Sequence, residues 1–103
     1  MEDCLFCKIV QKQIPSRQEY EDEHCLIFHD IHPKATTHLL IIPKKHIPTL
    51  MDLEEGDEKI MGHLMRAAKQ MGEKLNLEGY KLQCNVGQKG GQEVFHLHLH
   101  LLA

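Results

Sequence analysis

The sequence predicts an α+β fold, an antiparallel sheet with one long helix, and three observations carry that prediction. Short apolar runs bounded by turn residues recur at 24–29, 38–42 and 80–86. One stretch, 57–75, has apolar residues at threes and fours, the period of a helix with a single buried face. VFHLHLHLL, over 94–102, alternates residue by residue, the period of a strand. The connections are short, with no internal repeat and no linker, so residues 1–103 form one domain, and hairpin-length joins favour α+β over a doubly wound parallel sheet.

Each element has a local reason. Residues 4–12 form a short N-terminal helix. HCLIFH (24–29) leaves its strand at Asp30 and Pro33, and HLLII (38–42) is closed by Pro43, Lys44 and Lys45; HPKATT between them turns the chain into an antiparallel pair. Asp52 with Glu55 has capping-box spacing, and Asp57 and Glu58 place negative charge at the start of the long helix. Ile60, Leu64, Ala67, Ala68, Met71 and Leu75 form its buried stripe, which Asn76 or Gly79 stops. A third strand spans 80–86, and GQKGGQ turns the chain into the alternating segment. There Phe95, Leu97, Leu99 and Leu101 face the core, while Val94, His96, His98, His100 and Leu102 share the other face.

Composition narrows the function. With 42% hydrophobic and 26% charged residues the chain is no disordered tract. Twelve Lys plus Arg against 15 Asp plus Glu give a formal charge of −3, without the basic field that nucleic acid or an anionic membrane requires. MEDCLFCKIV lacks the basic stretch and long apolar run of a signal peptide, and no segment reaches the ~20 apolar residues of a membrane-spanning helix. A cytoplasmic protein is expected. Disulfides are then disfavoured; Cys4 and Cys7 turn toward metal binding or redox work, and Cys25 and Cys84, in apolar runs, read as buried free thiols.

Nine histidines are many for 103 residues. His96, His98 and His100 project from one strand face at roughly 6.5–7 Å spacing. Three roles are open to them: solvated residues on an open face, metal ligands, or a nucleophile with its helpers. Cys4 and Cys7 in C-x-x-C spacing, with His46 and His96, compose a tetrahedral zinc set of two thiolates and two imidazoles. Thiol exchange and two ordinary buried thiols are the competing readings of the same pair. A zinc ligand has one ring nitrogen committed, so His96 and His98 can hold different roles; His98, flanked by imidazoles, is the nucleophile candidate. GQKGGQE (87–93) is either a nest of backbone N–H groups for phosphoryl oxygens or a turn that needs positive φ.

FHLHLHLL (95–102) resembles the His-x-His-x-His motif of the histidine triad superfamily of nucleotide hydrolases and transferases. CLFCKIV (4–10), IPS (14–16), FHDIHPKATTHLLIIPKKHI (28–47) and NVGQKGGQEVFHLHLH (85–100) extend the resemblance over nearly the whole chain, most closely to the small histidine triad nucleotide-binding proteins of the adenosine phosphoramidase branch. The resemblance implies an antiparallel sheet of about five strands and a homodimer joined through the long helix and a central strand. It implies that His98 attacks the α-phosphorus of an adenosine 5′-phosphoramidate or related AMP conjugate, with its second ring nitrogen bonded to a neighbouring carbonyl, that of His96. His100 and His38 assist around the phosphate; Asn85, Gly91 and Gln92 lie on the phosphate side. Asp30 is the ribose carboxylate, and Phe28 and Ile31 belong to the purine cleft. It also adds weight to a structural Zn²⁺ on Cys4, Cys7, His46 and His96, with no catalytic metal required.

The sequence departs from that pattern at Glu93, where many triad proteins have a small hydroxyl residue. A hydroxyl contact to the phosphoryl or leaving group therefore does not carry over, and a carboxylate there either disfavours anionic leaving groups or assists an amine. The motif is followed closely by Ala103, without the further segment that helps some relatives select substrates. The expected activity is purine nucleoside phosphoramidase. The alternatives are a dinucleoside polyphosphate hydrolase or nucleotidyl transferase, and a zinc-stabilised nucleotide-binding or protein-interaction dimer with residual catalysis.

Overall fold

In the computed structural model, which describes residues 3–103, the strand β3 (His38–Pro43) is buried at all six positions. Its run of Leu39, Leu40, Ile41 and Ile42 has no polar face, and a strand of that kind is stable only with cover on both sides. It occupies the centre of a five-stranded sheet of order β1-β2-β3-β5-β4, formed with β1 (Gln18–Glu21), β2 (Cys25–His29), β4 (Lys81–Gln83) and β5 (Leu99–Leu102). Every pairing is antiparallel.

The cover is unequal. The long helix α2 (Glu58–Lys74) lays Leu64, Ala67, Ala68 and Met71 against Cys25, Ile27, Leu39, Ile41, Leu97, Leu99 and Leu101, which point to one side of the sheet. The opposite side, with Leu26, Phe28, Leu40 and Ile42, is met by Phe6 and Ile9 of the six-residue helix α1 (Leu5–Val10). Six residues span only about 9 Å of axis, so α1 roofs part of that face and leaves the rest open. No helix among the described residues is long and apolar enough to cross a membrane.

The α+β class, the long helix and the short N-terminal helix match the sequence expectation; four details differ. The edge strand β1 was unannounced, because QEYE offers only half-buried Glu19 and Tyr20 as a pattern and its pairing is irregular between Gln18 and Tyr20. The strand expected over 80–86 pairs only over 81–83, and that over 94–102 only over 99–102. Residues 94–96 bend instead, so the alternation that assigned Phe95 to the core does not hold there, and Phe95 is 45% exposed. Asp52 takes part in a capping box, but as the third residue of a 3₁₀ turn (Leu50–Asp52) capped by Thr49, and not with Glu55. Asp57 precedes α2 without capping it; its carboxylate instead accepts from Lys45 and the Glu54 N–H.

Asn76 ends α2, as its residue type suggests. It adopts φ 53°, with Asn76 N–H donating to Glu73 and Leu77 N–H to Gly72, a Schellman closure that leaves Gly79 without a part in it.

Asp22, in the β1–β2 turn, ties the sheet edge to α2. One oxygen accepts the N–H groups of His24 and Cys25 at 2.8 and 2.9 Å; the other accepts from Tyr20 Oη and His63 Nε2, both at 2.7 Å. Burial works to raise this carboxyl, but the four donors outweigh it and hold it well below the usual carboxylate range. A carboxyl depressed on folding stabilises above its unfolded pKa, and that contribution is lost as pH falls. Asp22→Asn is therefore expected to cost about 2 kcal/mol at neutral pH, with the gap to wild type narrowing below about pH 4. Urea denaturation across that range checks it; a gap independent of pH contradicts the ionic origin.

Candidate catalytic cleft and metal centre

The uncovered part of the sheet face is a cleft of about 760 Å³. Phe6, Ile9 and Phe28 form its apolar end, while Asp30, His38, His98, His100, Asn85 and Gly91 bring polar groups to it. Ile31 stands at the rim, 85% exposed. Gln92 lies outside this cleft. Its side chain is buried and engaged, accepting from Gly87 N–H at 2.9 Å and donating to the carbonyls of Pro48 and Val94 at 2.7 and 3.0 Å, so it braces the glycine loop from behind.

Hydrogen bonds assign the imidazole tautomers. His98 Nδ1 donates to the His96 carbonyl at 2.7 Å, which leaves Nε2 as a bare lone pair. Burial pulls this ring below its ordinary pKa, against the opposing influence of the carbonyl and of Asp30, so it is neutral at pH 7. His38 Nδ1 accepts the Lys34 N–H at 3.0 Å and must carry its proton on Nε2, which donates to His100 Nδ1 at 2.9 Å and lies 3.4 Å from Asp30. His100 consequently carries its proton on Nε2. Burial, with His98 and His38 as neighbours, pushes His100 down to about 4, and burial lowers His38 too. A neutral nucleophilic nitrogen thus adjoins a ring that presents an N–H, with centroids 5.0 Å apart.

His96, two residues before His98, serves another site. Its Nε2 donates to the Pro43 carbonyl at 2.7 Å, and burial pushes its pKa down to about 4. Nδ1 therefore faces Cys4 Sγ (3.4 Å), Cys7 Sγ (3.6 Å) and His46 Nδ1 (3.3 Å) as a lone pair, and His46 Nδ1 stands 3.2 Å from Cys7 Sγ. Tetrahedral zinc ligands at ordinary bond lengths stand ~3.6 Å apart for S to N and ~3.3 Å for N to N. All four donors lie within 4.8 Å of one another, so this cage can hold a metal ion. The cysteine spacing works through α1: Cys4 is its N-cap, accepting Cys7 N–H at 3.3 Å, which turns both sulfurs to one side. Burial and the adjoining Cys4 thiol push the Cys7 thiol up to about 11, the opposite of the lowered value that thiol exchange needs. Cys25 and Cys84 are free thiols, Cys25 buried and Cys84 half-buried.

The family model described as scavenger mRNA decapping enzyme C-terminal binding matches residues 3–103. A HIT family hydrolase from Legionella pneumophila superposes with a TM-score of 0.94 at 48% identity, over 98% of this chain and 92% of that one. The chain belongs to the histidine triad (HIT) superfamily. An uncharacterized HIT-like protein of Synechocystis is 43% identical over 102 residues, 98% of this chain and 90% of its own. A histidine triad nucleotide-binding protein from Candida albicans has a TM-score of 0.87 at 33% identity, over 96% of this chain and 73% of that one.

Some groups of this histidine triad site carry no signal in the motif. The carbonyls of His96 and Pro43 and the N–H of Lys34, which set the three tautomers, are backbone atoms that any sequence supplies. Ser16 is a second kind: its Oγ is buried without a hydrogen-bond partner and its residue lines the apolar end of the cleft. Such an orphan is rare in folded proteins, and it leaves one hydroxyl free to bond at that end of the cleft. The IPS tripeptide could have pointed to it, but only the burial shows it.

The glycine loop also has an order of necessity. Gly91 adopts φ 88°, and a Cβ there would stand 3.3 Å from Asn85 Nδ2, which itself donates to the Gly90 carbonyl at 2.8 Å. Gly90 has an ordinary φ and open space around a would-be Cβ. Gly91→Ala is expected to lose about 1 kcal/mol and Gly90→Ala well under half of that, by thermal denaturation. Equal losses would show that the turn does not depend on the left-handed position.

Proposed function

We propose that this histidine triad protein is a purine nucleoside phosphoramidase, hydrolysing adenosine 5′-phosphoramidates and related AMP conjugates through a nucleotidyl-histidine intermediate. The observation that carries the reading is the orientation of His98: one ring nitrogen tied to a carbonyl 2.7 Å away and the other free in a cleft with an apolar end and a polar end. The base lies between Phe28 and Ile31, with the orphan Ser16 hydroxyl able to meet its polar edge. Asp30 takes the ribose hydroxyls, and Asn85 and Gly91 flank the phosphate. The nucleotide-binding relative supports this choice of ligand class.

In the first step His98 Nε2 bonds to the α-phosphorus and the P–N bond breaks. The leaving nitrogen keeps the bonding pair, takes one proton from solvent and departs as the amine; the His100 Nε2–H, oriented by the His38 Nε2–H 2.9 Å from His100 Nδ1, donates to a phosphoryl oxygen throughout. The nucleotidylated His98 is a cation whose Nδ1–H remains on the His96 carbonyl, which stabilises it. Water then attacks phosphorus as the P–Nε2 bond breaks, and its proton returns to solvent, which releases AMP and restores neutral His98. Developing charge on the phosphoryl oxygens is met by N–H donors in place before the reaction, so the reading calls for no catalytic metal.

Cys4, Cys7, His46 and His96 hold a structural Zn²⁺ in this reading. Its bound charge would ionise the two thiols and lock α1 to the sheet. The protein acts as a homodimer, in keeping with Met65, an apolar side chain of α2 that is 51% exposed. A cytoplasmic location completes the assignment.

Two measurements test it. Mass analysis of a quenched reaction with adenosine 5′-phosphoramidate is expected to show an AMP adduct on His98, and His98→Ala to lose about a thousandfold or more in kcat. Faster turnover of diadenosine polyphosphates would favour the hydrolase or transferase alternative, and tight AMP binding with negligible turnover the non-catalytic one. Untagged protein is expected to contain about one zinc per chain, which Cys4→Ser loses together with several degrees of Tm. No zinc in either form would overturn the metal assignment and leave the mechanism standing.

A further inference from the structure

The phosphate end of the cleft does not close at the glycine loop. A second depression, of about 590 Å³, continues beyond it and is lined by Gln88, Gly91, Gln92, Glu93 and Phe95. Gly91 and Glu93 line both spaces, so they form the wall the two share. Two side chains give the far side its chemistry. Phe95 is exposed where strand alternation would have buried it, because the chain bends over 94–96. Glu93 is exposed, and among the described residues its carboxylate has neither a hydrogen bond nor an ion pair; Glu23, Glu55 and Glu78 are free in the same way, but Glu93 alone of these lies on the wall between the two spaces. The wall is held in place from behind by Gln92, whose buried amide binds three backbone groups.

We propose that this depression is a leaving-group subsite that selects amines bearing a second, cationic group, carried on an apolar stem long enough to cross the Glu93 wall. The inference rests on the phosphoramidase reading. A phosphoryl group bound beside Asn85 and Gly91 is itself anionic, and a free carboxylate on the same wall opposes it unless positive charge lies between or beyond them. A leaving group that ends in an ammonium supplies that charge. One that ends in a carboxylate adds a second repulsion. Phe95 offers the complementary surface: its ring takes the methylene stem and its face attracts the cation. The unsubstituted phosphoramidate reaches neither group and reports on the cleft alone.

The test compares three substrates of identical nucleotide: adenosine 5′-phosphoramidate, an N-alkyl derivative ending in an ammonium, and one of equal length ending in a carboxylate. Wild type is expected to favour the ammonium-ended over the carboxylate-ended compound by about tenfold or more in kcat/KM, the scale of one partly screened charge contact switched in sign. Glu93→Gln should bring that ratio close to one, and Glu93→Lys should invert it. The readout is a ratio within each variant, so a general loss of activity cancels. If wild type turns over all three compounds without preference, or Glu93→Gln keeps the preference, the subsite is wrong and the phosphoramidase reading survives. If wild type turns over none of them, the phosphoramidase reading fails and the subsite falls with it.

Discussion

Phe6 lies between the two cysteines of the cage and meets the His98 ring edge-on at 5.1 Å, so whatever fixes the cage also fixes one wall of the cleft. The cage joins α1 to His46, which follows β3, and to His96, which precedes β5, segments separated by 39 to 92 positions in sequence. A helix of six residues has little stability of its own, since nucleating a turn costs more than so short a run returns. Its hold on the sheet therefore comes from Phe6 and Ile9 in the apolar layer and from the four metal-type donors at its N-terminus. The same shortness leaves the rest of that sheet face open. A helix as long as α2 on that side would have filled the space in which His98 and His100 stand.

The histidines differ because their backbone partners differ. His96 spends Nε2 on the Pro43 carbonyl and turns Nδ1 to the cage; His98 spends Nδ1 on the His96 carbonyl and keeps Nε2 free. Position along an alternating strand makes these residues look equivalent, yet opposite ring nitrogens are available in the two cases. Burial adds the second constraint, since it disfavours the imidazolium and keeps His96, His98 and His100 neutral at pH 7. A neutral ring can be a ligand or a nucleophile; a protonated one is neither.

Much of this was legible in residue pattern. The helix stripe from Ile60 to Leu75, the Asn76 stop and the apolar strands β2 and β3 follow from periodicity and turn chemistry alone. The cysteine and histidine spacing pointed to the set of four that the fold assembles, although nothing local brings residue 4 within reach of residue 96. Periodicity failed where tertiary bonds override it. Leu97 N–H donates to the Ile47 carbonyl at 2.6 Å before the β5 ladder begins, and the chain bends ahead of that bond, releasing Phe95 from the core. QEYE gave no strand signal because an edge strand with polar flanks needs little apolar content. The tautomers were beyond any reading of side-chain type, except where the family resemblance implied the His96 carbonyl.

The charge of the cleft bears on which phosphate compound suits it. Leaving the histidines aside, the formal charges along the lining are those of Lys34, Asp30 and Glu93, a balance of −1. Polyphosphates are generally gripped by clusters of arginine, lysine or metal ions, and their several negative charges would here meet one lysine and two carboxylates. A single phosphoryl group with a nitrogen substituent makes a smaller demand, which side-chain N–H donors meet in part and a cationic leaving group would complete. In the proposed reaction, oriented dipoles of this kind would stabilise charge as it moves between phosphorus and nitrogen without binding any anion tightly, which would let the product nucleotide leave. That balance supports the proposed cleavage of a phosphorus–nitrogen bond over cleavage within a polyphosphate chain, while burial separately keeps the His98 ring neutral.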